Sequence, residues 1–183
     1  MKIAVINSSF PIYNYGTEKM VVKFRREQHE VYYSPQVDAW VLGCDKVYLS
    51  AIFTWNLPLL CTDVNLLKQS EIELEIGGPA ATAMPEFIIR ETGIEPHIGL
   101  DGRFEHVPGN NFQATFTSRG CPRSCEFCLV PRLEGHRMVC YENFPIPIGR
   151  NPYVLDNNIL ATPWSHQLRV IEKLKHVRNL DLN

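Results

Sequence analysis

Lys2-Ile3-Ala4-Val5-Ile6-Asn7, the run KIAVIN at the start of the chain, is short, apolar and without polar alternation. A run of that kind reads as a strand buried on both faces, the habit of a parallel sheet. Tyr15 to Glu30 then reads as a helix. Val31-Tyr32-Tyr33, Lys46 to Ser50 (KVYLS) and Ile72 to Ile76 (IELEI) supply further strands, with helices expected at Trp55 to Ser70 and Pro85 to Thr92. Strand alternating with helix over the first hundred residues is the signature of a doubly wound α/β sheet.

Leu100 to Asn111 (LDGRFEHVPGNN) is polar, glycine-bearing and aperiodic, the character of a linker. The expected organisation is a first domain over 1–100, a linker over 101–112 and a second βα series over 113–183. In that series Thr115 to Ser118 (TFTS) is strand-like and runs directly into a cysteine-rich loop. Tyr153-Val154-Leu155 is another strand, ending in Asp156-Asn157-Asn158, and Cys140 to Pro152 between them is proline-rich and irregular. Thr162 to Lys175 reads as a helix, with Thr162 as N-cap, Pro163 at its first position and basic residues in its last turn. Val177 to Leu182 is expected to be a third strand.

With 183 residues, 45% of them apolar, the chain can bury a real core. Its formal charge of −2 supplies no general attraction to a phosphate backbone, so nucleic acid is not an expected partner. No stretch reaches the roughly 20 consecutive apolar residues that span a bilayer, and no basic segment precedes an opening apolar run. These features give the expectation of a cytoplasmic protein. Of the six cysteines, three crowd into Cys121 to Cys128, which favours a metal-thiolate site over a disulfide framework.

Gly120-Cys121-Pro122-Arg123-Ser124-Cys125-Glu126-Phe127-Cys128 carries the spacing C-x3-C-x2-C. Thiolates ligate iron–sulfur clusters, and closely spaced cysteines let one loop wrap one cubane. Three ligands leave one iron open to a small molecule, the arrangement of a reactive rather than a closed site. Structural zinc is the alternative, with Cys140 or His136 as the fourth ligand. Arg119, Arg123 and Arg132 surround the loop, either to offset cluster charge, to hold an anionic group of substrate, or simply as solvated surface residues.

This loop, including the aromatic Phe127 before its last cysteine, resembles the radical S-adenosylmethionine superfamily. The resemblance implies that Cys121, Cys125 and Cys128 hold a 4Fe-4S cluster on the first part of a (β/α) partial barrel. It implies that S-adenosylmethionine binds the open iron and is cleaved reductively to a 5′-deoxyadenosyl radical. Phe127 would lie beside the adenine, and Asp156, Asn157 and Asn158, at the second strand's C-terminal end, would bind the cofactor's amino group. The alternative for those three is an Asx turn capping the next element. The family also implies an electron donor such as flavodoxin or ferredoxin; the substrate is not specified.

In the first domain, Gly77-Gly78-Pro79 follows a strand and precedes a helix, where glycine lets backbone approach a ligand. With Val47 to Ser50 it resembles the Rossmann-like cobalamin-binding domain that precedes the radical domain in many superfamily members. Ser50, Gly77 and Gly78 are therefore the candidate cobalamin contacts. That domain's D-x-H-x-x-G motif is absent; the corresponding stretch reads Pro11-Ile12-Tyr13-Asn14-Tyr15-Gly16-Thr17. An empty module used for substrate or docking is the other reading. Methylthiotransferases carry three further cysteines in their first domain, and here Cys44 and Cys61 are the two before the linker.

A complete radical domain needs six βα units, roughly 200 residues. About 70 follow the linker, so the expectation is a truncated barrel completed by another chain, or a fragment without independent activity. A noncatalytic metal module, or an inert remnant that aggregates through an uncovered sheet edge and apolar face, are the competing readings.

Overall fold

The run KIAVIN forms β1 (Lys2–Asn7), an inner strand of a four-stranded sheet with β2 (Glu30–Ser34), β3 (Lys46–Ser50) and β4 (Glu73–Gly77). The order is β2-β1-β3-β4, and every pairing is parallel. The computed structural model describes residues 1–105, 107 and 112–182. The chain separates into two compact units, Met1–Val107 and Pro108–Asn183.

In the first unit, successive residues of β1 serve opposite faces, as strand geometry requires. Ile3 and Val5 pack with Tyr48, Phe104 and with Val21 and Phe24 of α1 (Tyr15–Arg26). Ala4 and Ile6 pack with Val47, Leu49, Ile76 and the apolar side of α2 (Leu57–Leu67), including Leu60, Val64 and Leu67. Helices thus cover both faces, and the inner strands have no polar side to show. Each fully buried Val or Leu here contributes about 1.5–3 kcal/mol relative to exposure. Two further helices, α3 (Pro79–Ala83) and α4 (Pro85–Thr92), follow β4.

Several boundaries differ from expectation. α1 stops at Arg26, four residues short, because Gln28 turns the chain at φ 62° and Glu30 already pairs with Lys2. The helix expected over Trp55 to Ser70 begins with a 3-10 turn, Thr54–Asn56, and ends at Leu67. Of the stretch 101–112, Gly102–Phe104 is a 3-10 turn that seats Phe104 in the core of the first unit. His106 and 108–111 lie outside the described residues.

The second unit contains β5 (Ala114–Thr115), β6 (Ser118–Arg119), α5 (Val130–Leu133), β7 (Val139–Cys140), β8 (Tyr153–Val154) and α6 (Trp164–Leu174). β5 pairs parallel with β8, and Tyr153 makes a parallel bridge to Asp181. β6 pairs antiparallel with β7. The single strand expected over Thr115 to Ser118 is therefore two, broken at Phe116-Thr117, and the halves belong to different sheets. The strand expected over Val177 to Leu182 is reduced to that one bridge. α6 starts later than expected: Pro163 is the cap, and Thr162 Oγ1 donates to Ile159 O at 2.6 Å instead of capping the helix. Its inner face gives Val170 and Leu174 to a small core with Phe144 and Val154. Its outer face exposes Trp164, Leu168 and Ile171. Among the described residues no helix is long and apolar enough to cross a membrane.

Candidate functional site

The cysteine loop leaves β6 through Gly120 and returns through α5. Gly120 has φ +81°, and a Cβ there would lie 2.2 Å from Arg137 O, so only glycine lets the two passes of chain lie so close. Glu134 closes the base of the loop. Its carboxylate takes Arg119 Nη1 at 2.6 Å on one oxygen and the Gly120 N–H at 2.9 Å on the other. The pair is shielded, with 9% and 2% side-chain exposure, and the Arg119 guanidinium also lies 3.3 Å from the centre of the Phe116 ring. Arg119 is therefore a structural residue. Sequence reasoning missed Glu134 altogether, since an acid fifteen residues downstream of an arginine carries no local signal.

Cys121 is buried, Cys128 is half-buried and Cys125 is exposed, and all three are free thiols. Residues 122–127 are exposed, and Phe127 is 95% so, outside any core. Among the described residues no three His, Cys, Asp or Glu side chains are gathered around a common point. Metal sites commonly form only as the metal binds. Ser124 Oγ and His136 Nδ1 lie 3.4 Å apart across it. Cys140 sits in β7, paired with Ser118, and burial pushes its thiol pKa up.

The end of β8 delivers Asp156, Asn157 and Asn158 to this loop, and the three have different roles in the structure. Asp156 is buried. Its Oδ1 accepts from the N–H groups of Thr117 (2.6 Å) and Ser118 (3.0 Å), and its Oδ2 from Ser118 Oγ (2.8 Å) and Thr117 Oγ1. This carboxylate breaks the expected TFTS strand, because it takes the two backbone donors that a continuing sheet would have used. All its acceptor directions point into the protein. Asn157 is exposed. Asn158 donates from Nδ2 to Cys121 Sγ at 3.4 Å, and its side chain makes no bond to the 3-10 turn it precedes, Ile159–Ala161. The Asx-turn reading is thus wrong for Asn158. The Asn158 donor, with help from the Arg123 backbone N–H and charge, holds the Cys121 thiol below its ordinary pKa.

Beneath this, Thr117 Oγ1 lies 3.1 Å from His166 Nε2. Since the hydroxyl proton goes to Asp156, the imidazole carries its proton on Nε2, and buried Nδ1 is left without a partner. His166 had no sequence-level role; its helical register with Val170 is the one available sign that it faces inward.

In the first unit, Ser50 and Gly77 are paired at the C-terminal ends of β3 and β4. Asn14 joins them, its Nδ2 donating to Ser50 Oγ at 3.2 Å while its Oδ1 caps α1 through the Gly16 and Thr17 N–H groups. Gly78, at φ +98°, lies so close to β3 that a Cβ would come within 2.6 Å of Ser50 Oγ and 2.7 Å of Ala51 O. The close approach that the double glycine permits is to the chain's own strand. Ser8 Oγ, buried near this edge, has no hydrogen-bond partner.

Three cysteine thiolates are the donor set that a 4Fe-4S cluster would take, and the Cys121 thiol is the one held below its ordinary pKa. No protein-family model matches the chain, and no curated protein matches it significantly.

Proposed function

We propose that the chain is a radical S-adenosylmethionine protein, in which Cys121, Cys125 and Cys128 hold a 4Fe-4S cluster. The observation that carries this reading is the C-x3-C-x2-C loop with Asn158 of the β8 rim against its first sulfur. A parallel β5–β8 pair with α6 packed against β8 supports an origin in the first part of a (β/α) barrel, whose functional rim is the C-terminal end of its strands. The pair of cofactors supplies reductive cleavage of a sulfonium to a 5′-deoxyadenosyl radical; the protein supplies ligation and orientation. Phe127 is presented to solvent where an adenine ring has access to it. Asn157, exposed at the rim, is freer than Asp156 to meet the cofactor's amino group.

Anaerobic reconstitution, iron and sulfide analysis, and electron paramagnetic resonance of the reduced protein test the proposal. The expected result is a cubane signal that shifts on adding S-adenosylmethionine and disappears in Cys125→Ala. Stoichiometric zinc without sulfide would instead favour a noncatalytic metal module.

For the first unit we propose a Rossmann-like module whose ligand edge runs past Ser50, Gly77 and Gly78, the place where open α/β sheets take ligands. Cobalamin is the ligand the resemblance suggests, without a protein imidazole beneath the metal. Equilibrium dialysis with cobalamin tests this independently of the cluster. The reducing interior of a cell, with flavodoxin or ferredoxin as electron source, fits six free thiols.

A further inference from the structure

We infer that Asn158 is a positioning residue for Cys121 and that its hydrogen bond to the Cys121 sulfur raises the reduction potential of the cluster. The inference rests on the cluster reading above and deepens it. Four observations carry it. An Asn ahead of a 3-10 turn ordinarily uses its side chain on the backbone of that turn, and Asn158 does not. Its Nδ2 is instead on Cys121 Sγ at 3.4 Å, an ordinary length for a donor to sulfur. Cys121 is the buried member of the trio and its bond to Asn158 is partly buried, whereas solvent reaches exposed Cys125 directly. Finally, Asp156 pins the end of β8 through four donors, so a residue two positions on is held at a fixed place relative to β6 and the loop it feeds.

The sign follows from charge. Reduction adds one electron to a thiolate-bound cluster that is already anionic, and a neutral N–H donor aimed at a ligand sulfur stabilises the more negative state. Asparagine supplies that donor without charge. Aspartate, of the same shape, would lack the donor and add a negative charge beside the sulfur, acting in the opposite direction.

The test is a mediated dithionite titration of the reconstituted full chain, followed by electron paramagnetic resonance, for the natural sequence, Asn158→Ala, Asn158→Asp and Asn158→Gln. Iron and sulfide are measured on each sample. We expect the reduction equilibrium of Asn158→Ala to fall about tenfold, which for one electron is about 59 mV. Asn158→Asp falls at least as far, and Asn158→Gln, which keeps the donor on a longer arm, lies nearer the natural protein. Loaded Ala and Asp variants with an unchanged midpoint would overturn the inference and leave the cluster reading standing. Failure of both to load, where the natural protein loads, would reduce Asn158 to a purely structural role and overturn the tuning. A natural protein that takes up no iron and sulfide would overturn the cluster reading and this inference with it.

Discussion

Gly120 shows how one residue type is dictated by its surroundings. A methyl group there meets Arg137 O at 2.2 Å, and the backbone sits at φ +81°. Gly120→Ala is expected to destabilise the second unit by about 2–4 kcal/mol, strain and overlap together. Gly43→Ala, where the added methyl meets nothing within 4 Å, is the control, and urea denaturation of both reads the difference. His166 yields a pH dependence. Burial, the largest effect, holds its imidazole below the ordinary pKa; Asp156 pulls the other way and Arg169 adds to the depression. The unfolded chain therefore takes up the proton first, so this contribution is intact above pH about 6.5 and is lost as pH falls below it. Urea midpoints at pH 7.5 and 5.5 should separate for the natural chain and converge in His166→Gln. At this scale the cysteine loop was legible as a motif, because the C-x3-C-x2-C spacing stands in the sequence itself. The functions of Asp156 and Asn158 were not, because their partners lie 39 and 37 residues away in sequence.

The two sets of elements differ in how well the sequence announces them. β1 and β3 are apolar on both faces, so their runs stand out, and α4 begins and ends where its Pro85 and Gly93 say it should. β5, β6, β7 and β8 have two residues each, too few for any periodicity to register, and their limits are set by side chains reaching in from elsewhere. Glu134 is the clearest such side chain. Glu134→Ala deletes the shielded ion pair to Arg119 and the acceptor of the Gly120 N–H, at an expected loss of about 3–5 kcal/mol. Limited proteolysis should then cut within 121–133 at protease levels the natural chain resists. α6 offers the converse case. Trp164, Leu168 and Ile171 lie on its outer face, with Trp164 66% exposed. Leu168→Glu together with Ile171→Lys should change stability by no more than about 0.5 kcal/mol per site and lower light scattering of the purified chain.

For the molecule as a whole, each unit holds its own core, and 1–107 contains the entire four-stranded sheet with helices on both faces. A fragment spanning 1–107 is expected to unfold cooperatively by circular dichroism; a broad, non-cooperative melt would show that it depends on the remainder. In the full chain, anaerobic loading with iron and sulfide should raise the melting temperature of the second unit and leave the first unchanged, because only the former would bind it. The parallel four-stranded sheet was legible from the alternation of strand and helix. The packing of Phe104 was not, since a lone aromatic in a polar stretch looks like a linker until a core receives it. The bridge from Arg119 to Glu134 has one more consequence. Because it fixes the two ends of the loop, the three thiols share a small tethered volume. In the cluster reading, each would meet a nascent cluster at an effective concentration in the millimolar range set by the loop and not by the solution. Once one sulfur was engaged, the other two would follow as intramolecular steps, and those later steps would not depend on how dilute the protein is.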